Sequence, residues 1–104
     1  MRVNEYGVIF RFSVGYDISA ETELSLVFTK PDGTVMPAKV TPDVSVGVTP
    51  VVTTLGTFAA NEYVNYTFVS GDIDQAGVWT AQLTYDEGAT IRLISDKAQF
   101  TVDD

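Results

Sequence analysis

Apolar residues recur at every second position along most of this chain. In residues 8–14 (VIFRFSV), valine and phenylalanine occupy one set of alternate positions, and arginine and serine fall in the other. The same alternation returns in residues 62–69 (EYVNYTFV), 78–85 (VWTAQLTY) and 97–102 (KAQFTV). A period of two is typical of strands with one face buried and one in water. No segment sustains the 3.6-residue period of a helix, so we expect an all-β protein with little or no helix.

Turn signals separate these segments. Between residues 24–29 (LSLVFT) and 34–40 (TVMPAKV) lies KPDG, with proline at the second turn position and glycine at the fourth. This composition predicts a hairpin built on a type I turn.

The segment after this turn predicts a less regular strand. Its alternation places Met36, Ala38 and Val40 on the inward face and Lys39 on the outward face. Because Pro37 cannot donate a backbone hydrogen bond, the strand should be an edge strand or carry a bulge.

The middle of the chain is rich in valine, threonine and glycine and predicts one or two short strands, around residues 44–48 and 51–58, in an ambiguous register. With them, about seven to eight short strands follow one another at spacings of roughly 8 to 12 residues. That pattern favours an antiparallel immunoglobulin-like β-sandwich. A length of 104 residues fits a single domain over residues 1–104.

The chain contains no cysteine and no histidine. Disulfides, thiolate catalysis and thiolate zinc sites are therefore excluded, together with the most common general base and transition-metal ligand. No Ser-x-x-Lys spacing and no Gly-x-Ser-x-Gly elbow is present. We expect neither an enzyme nor a cofactor.

Fourteen acidic and six basic side chains give a formal net charge of −8. Such a chain repels phosphate backbones and anionic lipid surfaces, so we expect neither a nucleic-acid nor a membrane partner. The first residues lack an apolar run of signal-peptide length, and no stretch approaches the ~20 apolar residues of a membrane span. We expect synthesis and folding in the cytoplasm.

Two aspartates, Asp72 and Asp74, lie one residue apart between two predicted strands. Hard cations take clustered carboxylate oxygens, so the pair could be half of a calcium loop. The alternative, which we favour, is a turn in which aspartate accepts hydrogen bonds from free backbone N–H groups. Two ligands fall well short of the roughly six to eight oxygens that calcium prefers.

Most aromatic residues lie on the inward face of an alternating strand, where large rings fill a core. On this pattern Trp79 is predicted to be a core residue. Tyr16 and Tyr63 are out of phase or in loops, which makes them the interface candidates.

Residues 76–81, AGVWTA, resemble the Gly-x-Tyr-x-Cys stretch of immunoglobulin domains, with Trp79 at the tyrosine position and Ala81 at the cysteine position. The chain departs from that pattern in an aspartate displaced by one residue and in lacking a disulfide partner. These departures argue against an antibody-type domain and leave the sandwich intact.

A wider resemblance covers most of the chain. A strand followed by TKPDGT, then a variable middle, NYTFVSGDIDQAGVWTAQLTY and a terminal FTV are similar to small immunoglobulin-like domains of tailed-bacteriophage virion proteins, in particular the N-terminal domain of phage baseplate upper proteins. The resemblance implies a non-enzymatic structural or accessory protein of the virion, located on the tail, neck, baseplate or capsid surface. It implies docking to other phage structural proteins, as a homo-oligomer or in many copies on a symmetric particle.

An alternative function stays open at this point. The same sandwich could be a glycan- or receptor-binding module, assisted by calcium held at Asp72 and Asp74.

Overall fold

The computed structural model of the chain describes residues 1–54 and 56–104. These residues form ten strands and no helix, and every pairing between the strands is antiparallel. In chain order the strands are β1 (Ile9–Ser13), β2 (Glu23–Thr29), β3 (Lys39–Val40), β4 (Val44–Val46), β5 (Val51–Thr53), β6 (Gly56–Phe58), β7 (Tyr63–Thr67), β8 (Gly77–Glu87), β9 (Ile91–Ile94) and β10 (Ala98–Val102). No helix able to cross a membrane occurs in the described part of the chain.

The strands build two main sheets and one small hairpin. The first sheet has the order β1-β7-β4 and the second the order β10-β8-β2-β3. Strand β8 is long enough for two partners on one side, with β10 paired along its first half and β9 along its second. Within the described part of the chain, β5 and β6 pair only with each other.

Side chains from both main sheets meet in one core, which makes the arrangement sandwich-like. The ring of Phe28 on β2 contacts Phe10 on β1 and Tyr66 on β7, at centroid distances of 5.3 and 5.7 Å. Along β8 the predicted alternation is confirmed, because every second side chain from Trp79 to Tyr85 is buried. Trp79 is 0% exposed, stacks on Phe100 and donates from Nε1 to the Gln75 carbonyl at 3.0 Å.

The prediction for residues 34–40 is partly wrong. Strand β3 contains only two residues, and of the three side chains expected to face inward only Met36 is buried. Val40 is 39% exposed, whereas Lys39, expected to face outward, is half-buried. The cause is Pro37, which cannot donate a ladder hydrogen bond and therefore interrupts the strand after Met36.

The middle segment also differs from the prediction. In place of one predicted strand over residues 51–58 there are two, β5 and β6, which pair with each other and help to raise the number of strands from the predicted seven or eight to ten. Leu55, inside that predicted strand, lies outside the described residues. The KPDG turn is confirmed, since Gly33 N–H donates to the Lys30 carbonyl and Lys30 N–H donates to the Thr34 carbonyl, at 2.9 and 2.8 Å.

Replacing the core indole tests the packing of the two sheets. Trp79→Ala should lower the free energy of unfolding by about 3 to 5 kcal/mol, because it removes a fully buried large aromatic and leaves a cavity. Chemical denaturation followed by circular dichroism measures the change, and Val78→Ala, at an exposed position on the same strand, is the control. A loss below about 1 kcal/mol would contradict the assigned burial.

Candidate functional site

The first candidate is the corner between β7 and β8, where the two predicted aspartates lie. Asp72 is 8% exposed, and its N–H donates to the Val69 carbonyl at 3.1 Å. Its Oδ2 accepts hydrogen bonds from the Val69 N–H at 2.9 Å and from the Tyr66 hydroxyl at 2.6 Å. The carboxylate therefore closes the turn that the sequence predicted and ties it to the last core tyrosine of β7.

A third element reaches the same carboxylate. The Lys39 ammonium on β3 lies 3.4 Å from Oδ1 of Asp72 and 5.7 Å from the centroid of the Tyr66 ring. Burial raises the pKa of the Tyr66 hydroxyl above its ordinary value, and the hydrogen bond to Asp72 and that residue's negative charge raise it further. The cluster thus joins β3, β7 and the corner through one buried negative charge.

Asp74 has different partners from Asp72. Its Oδ2 accepts from the Lys30 ammonium in the β2–β3 turn at 2.8 Å, and it is 46% exposed. One residue further on, the Gln75 amide donates to Asp32 of that same turn at 2.9 Å. The two aspartates are therefore held by separate lysines, and the described residues contain no group of three or more His, Cys, Asp or Glu side chains placed to hold a metal ion.

The two interface candidates occupy unlike environments. Tyr63 lies on the face of its sheet away from the core, yet it is only 3% exposed because Gly47, Thr49 and Phe58 lie against it. Its ring packs over Gly47 and beside Phe58, and its hydroxyl donates to the Thr49 carbonyl at 2.6 Å. The expectation that Tyr63 is available to a partner is thereby corrected.

Tyr16 follows β1 and is 40% exposed. With Val14, Ile94, Lys97 and other residues it lines a groove of about 410 Å³ between the end of β1 and the link from β9 to β10. Tyr16 stays an interface candidate, now placed at the mouth of a concave surface.

The groove belongs to a longer feature, here called the open side, which runs between the outer edges of β1 and β10. Eight apolar residues pack against the core without being fully buried, and seven of them lie along this side or in the N-terminal segment beside it. The seven are Met1, Val3, Val8, Phe10, Val14, Ala98 and Phe100. The core is therefore less completely covered here than elsewhere.

Both strands that border the open side have a free edge. Phe68 N–H donates to the Val8 carbonyl, and Val14 N–H donates to the Glu62 carbonyl. The even-numbered residues of β1 therefore direct their backbone N–H and C=O groups toward β7. Backbone groups alternate in an antiparallel pair, so those of Ile9, Arg11 and Ser13 point away from the sheet. Among the described residues, β1 pairs only with β7, and β10 pairs only with β8 apart from a parallel bridge between Arg2 and Asp103, just beyond its end.

Basic residues are distributed unevenly around the molecule. Lys30, Lys39 and Arg92 each form a salt bridge, whereas the remaining three bases have no ion pair among the described residues. Those three are Arg2, Arg11 and Lys97, and all lie beside the open side.

The Nε of Arg11 is buried without a hydrogen-bond partner in the described part of the chain. Asp96 is the acidic residue that lines the same groove.

Sequence reasoning missed the open side. Alternation shows which residues of a strand face the core, but it does not show which strands lie beside one another, and the position of the open side depends on that order.

Substitutions of the two aspartates should have unequal effects. Asp72→Ala leaves the Tyr66 hydroxyl and the Val69 N–H without an acceptor and should cost on the order of 2 to 4 kcal/mol. Asp74→Ala removes a salt bridge at the surface and should cost less than about 1 kcal/mol. Equal losses in parallel denaturation experiments would contradict the different roles of the two carboxylates.

The Tyr66 hydroxyl should make the fold sensitive to alkali. Because its pKa is higher in the folded chain than in the unfolded chain, its contribution is complete below pH ~10 and is lost as the pH rises above that value. Stability should then fall by up to about 1.4 kcal/mol per pH unit for this group. In Tyr66→Phe the total decline between pH 9 and 11, followed by denaturant titration, should be smaller by about 1.4 kcal/mol, and equal declines would disprove the assignment.

Comparisons of the chain with models of known protein families, with curated proteins and with solved structures return no match.

Proposed function

We propose that this chain is a non-enzymatic structural or accessory protein of a tailed-bacteriophage virion that acts by docking to other proteins of the particle. The observation that carries the docking proposal is the open side, where apolar core residues are incompletely covered and two strand edges are free. Exposed apolar surface beside free edges is what a protein partner covers. The virion location rests on the resemblance of TKPDGT, NYTFVSGDIDQAGVWTAQLTY and the terminal FTV to small immunoglobulin-like domains of phage virion proteins.

The proposal includes an immunoglobulin-like topology, which the strand order supports. Immunoglobulin sandwiches place strands D, E and B in one sheet and strands G, F and C in the other, with C′ added in variable-type domains. The orders β4-β7-β1 and β10-β8-β2-β3 correspond to D-E-B and G-F-C-C′.

The start of β8 adds a second line of support. In immunoglobulin domains a tyrosine at the start of strand F donates its hydroxyl hydrogen bond to the backbone a few residues upstream. Trp79 lies at the matching position and donates from its indole to the carbonyl of Gln75, four residues upstream. The Trp79 indole thus makes a hydrogen bond equivalent to the one that the tyrosine hydroxyl makes in immunoglobulin domains.

Small contact surfaces suit a protein present in many copies. A symmetric particle presents repeated docking sites, and linked contacts bind together far more tightly than each does alone. The five-residue edge of β1 is a small surface of this kind.

The proposal is tested on the virions of a phage that encodes this chain. Gradient-purified particles should contain the protein in a fixed ratio to the major capsid protein by quantitative mass spectrometry, and immunogold labelling should place it at one site on the particle. Asp74→Ala, which removes only a surface salt bridge to Lys30, should be incorporated normally, whereas Phe10→Asp, in the open side, should be depleted several-fold. Recovery of the wild-type protein only in the particle-free fraction would refute the virion location.

A further inference from the structure

We propose that the open side binds an extended strand of a different protein, which pairs with the free edge of β1 and places an acidic side chain opposite Arg11. This inference rests on the proposed docking function and specifies the chemistry of the partner. The partner segment alternates apolar residues, which face the core, with polar residues, of which at least one is acidic.

The backbone of β1 determines that the occupant is extended. Ile9, Arg11 and Ser13 direct their N–H and C=O groups away from β7, and no described residue pairs with them. A regularly spaced row of donors and acceptors is matched by another strand, which forms main-chain hydrogen bonds along the edge. An edge of five residues gives room for a short segment.

The core-facing side of that strand must be apolar. Phe10 and Phe100 approach each other across the open side, at a centroid distance of 5.0 Å, and both are only partly buried. Val14 and Ala98 extend the apolar surface toward the groove beside Tyr16. Since side chains of an added strand alternate between the two faces, every second residue would lie against these groups.

Arg11 determines the charge of the other face. Its side chain lies on the face away from the core, opposite Asn65 of β7, and its Nε is buried without a hydrogen-bond partner in the described residues. A residue directly opposite in an added strand lies on the same face, within reach of the guanidinium group. Arg11 forms no ion pair among the described residues, so a carboxylate there would form a charge-assisted hydrogen bond with its guanidinium group.

A second copy of this chain fits the edge less well. Antiparallel pairing of β1 with β1 of another copy would place Ile9, Arg11 or Ser13 opposite Arg11, and none of these carries a negative charge. Each copy also carries a net charge of −8, which opposes close approach of two copies. We therefore assign the site to a different protein.

The test uses the whole chain and two synthetic peptides. Each peptide has eight residues in which valine alternates with threonine, and one central threonine is replaced by glutamate in the first and by lysine in the second. We expect the glutamate peptide to bind at least tenfold more tightly, measured by fluorescence anisotropy. In amide exchange followed by NMR it should slow the exchange of Ile9, Arg11 and Ser13.

Three variants separate the parts of the proposal. Ser13→Pro removes an outward-pointing N–H without breaking the ladder to β7 and should abolish peptide binding, whereas Ser13→Ala should bind normally. Arg11→Gln should keep binding and lose the preference for glutamate. Circular dichroism and amide exchange of β7 report whether each variant is folded.

Two results would overturn the inference. One is the absence of binding by both peptides at millimolar concentration, and the other is protection of the β1 amides by raising the protein concentration alone, which would assign the edge to self-association. If the peptide binds as expected but the protein is absent from virions, strand binding stands and the virion function fails. If the protein is in virions and the peptide does not bind, the virion function stands and this mode of docking fails.

Discussion

The buried carboxylate of Asp72 holds the point at which the chain leaves one sheet for the other. A charge removed from water must be paired and hydrogen-bonded, and this one is satisfied by the Tyr66 hydroxyl, the Val69 N–H and the Lys39 ammonium. The three donors come from β7, from the turn itself and from β3, so each must be in place for the others to be satisfied. Five residues further on β8 begins, and Trp79 fills the core without help from a disulfide.

The rest of the fold divides into a covered part and an uncovered part. Around Trp79 and Phe28 the two sheets enclose their side chains, whereas beside Phe10 and Phe100 the same core is only partly shielded. Apolar surface left in contact with water forgoes stabilisation of roughly 25 cal/mol per Å². A partner strand would recover that stabilisation on binding, so the proposed docking site and the weak side of the core are the same place.

Strand identity could be predicted from the sequence because alternation is a local property, and β1, β2, β7 and β8 follow it. The path of residues 34–40 could not be predicted in this way. Pro37 limits the length of β3, and Lys39 turns toward the carboxylate of Asp72, which lies 33 residues away in sequence. The prediction that Tyr63 is an interface residue was wrong for a related reason. Its outward phase was visible in the sequence, but the residues that cover it come from an excursion whose path depends on tertiary contacts.

The contacts between the β2–β3 turn and the corner bear on how the chain can change in length. Exposed hairpin turns ordinarily accept extra residues, because little depends on their exact path. Here Lys30 binds Asp74, Asp32 binds Gln75, and Pro31 lies where a Cβ added to Gly77 would be 2.9 Å away. An insertion at residue 32 would displace all three contacts together and disturb the start of β8. Among homologues, the length of the β2–β3 turn should vary less than that of the β8–β9 turn. An insertion in the β2–β3 turn should be accompanied by one in the corner between β7 and β8.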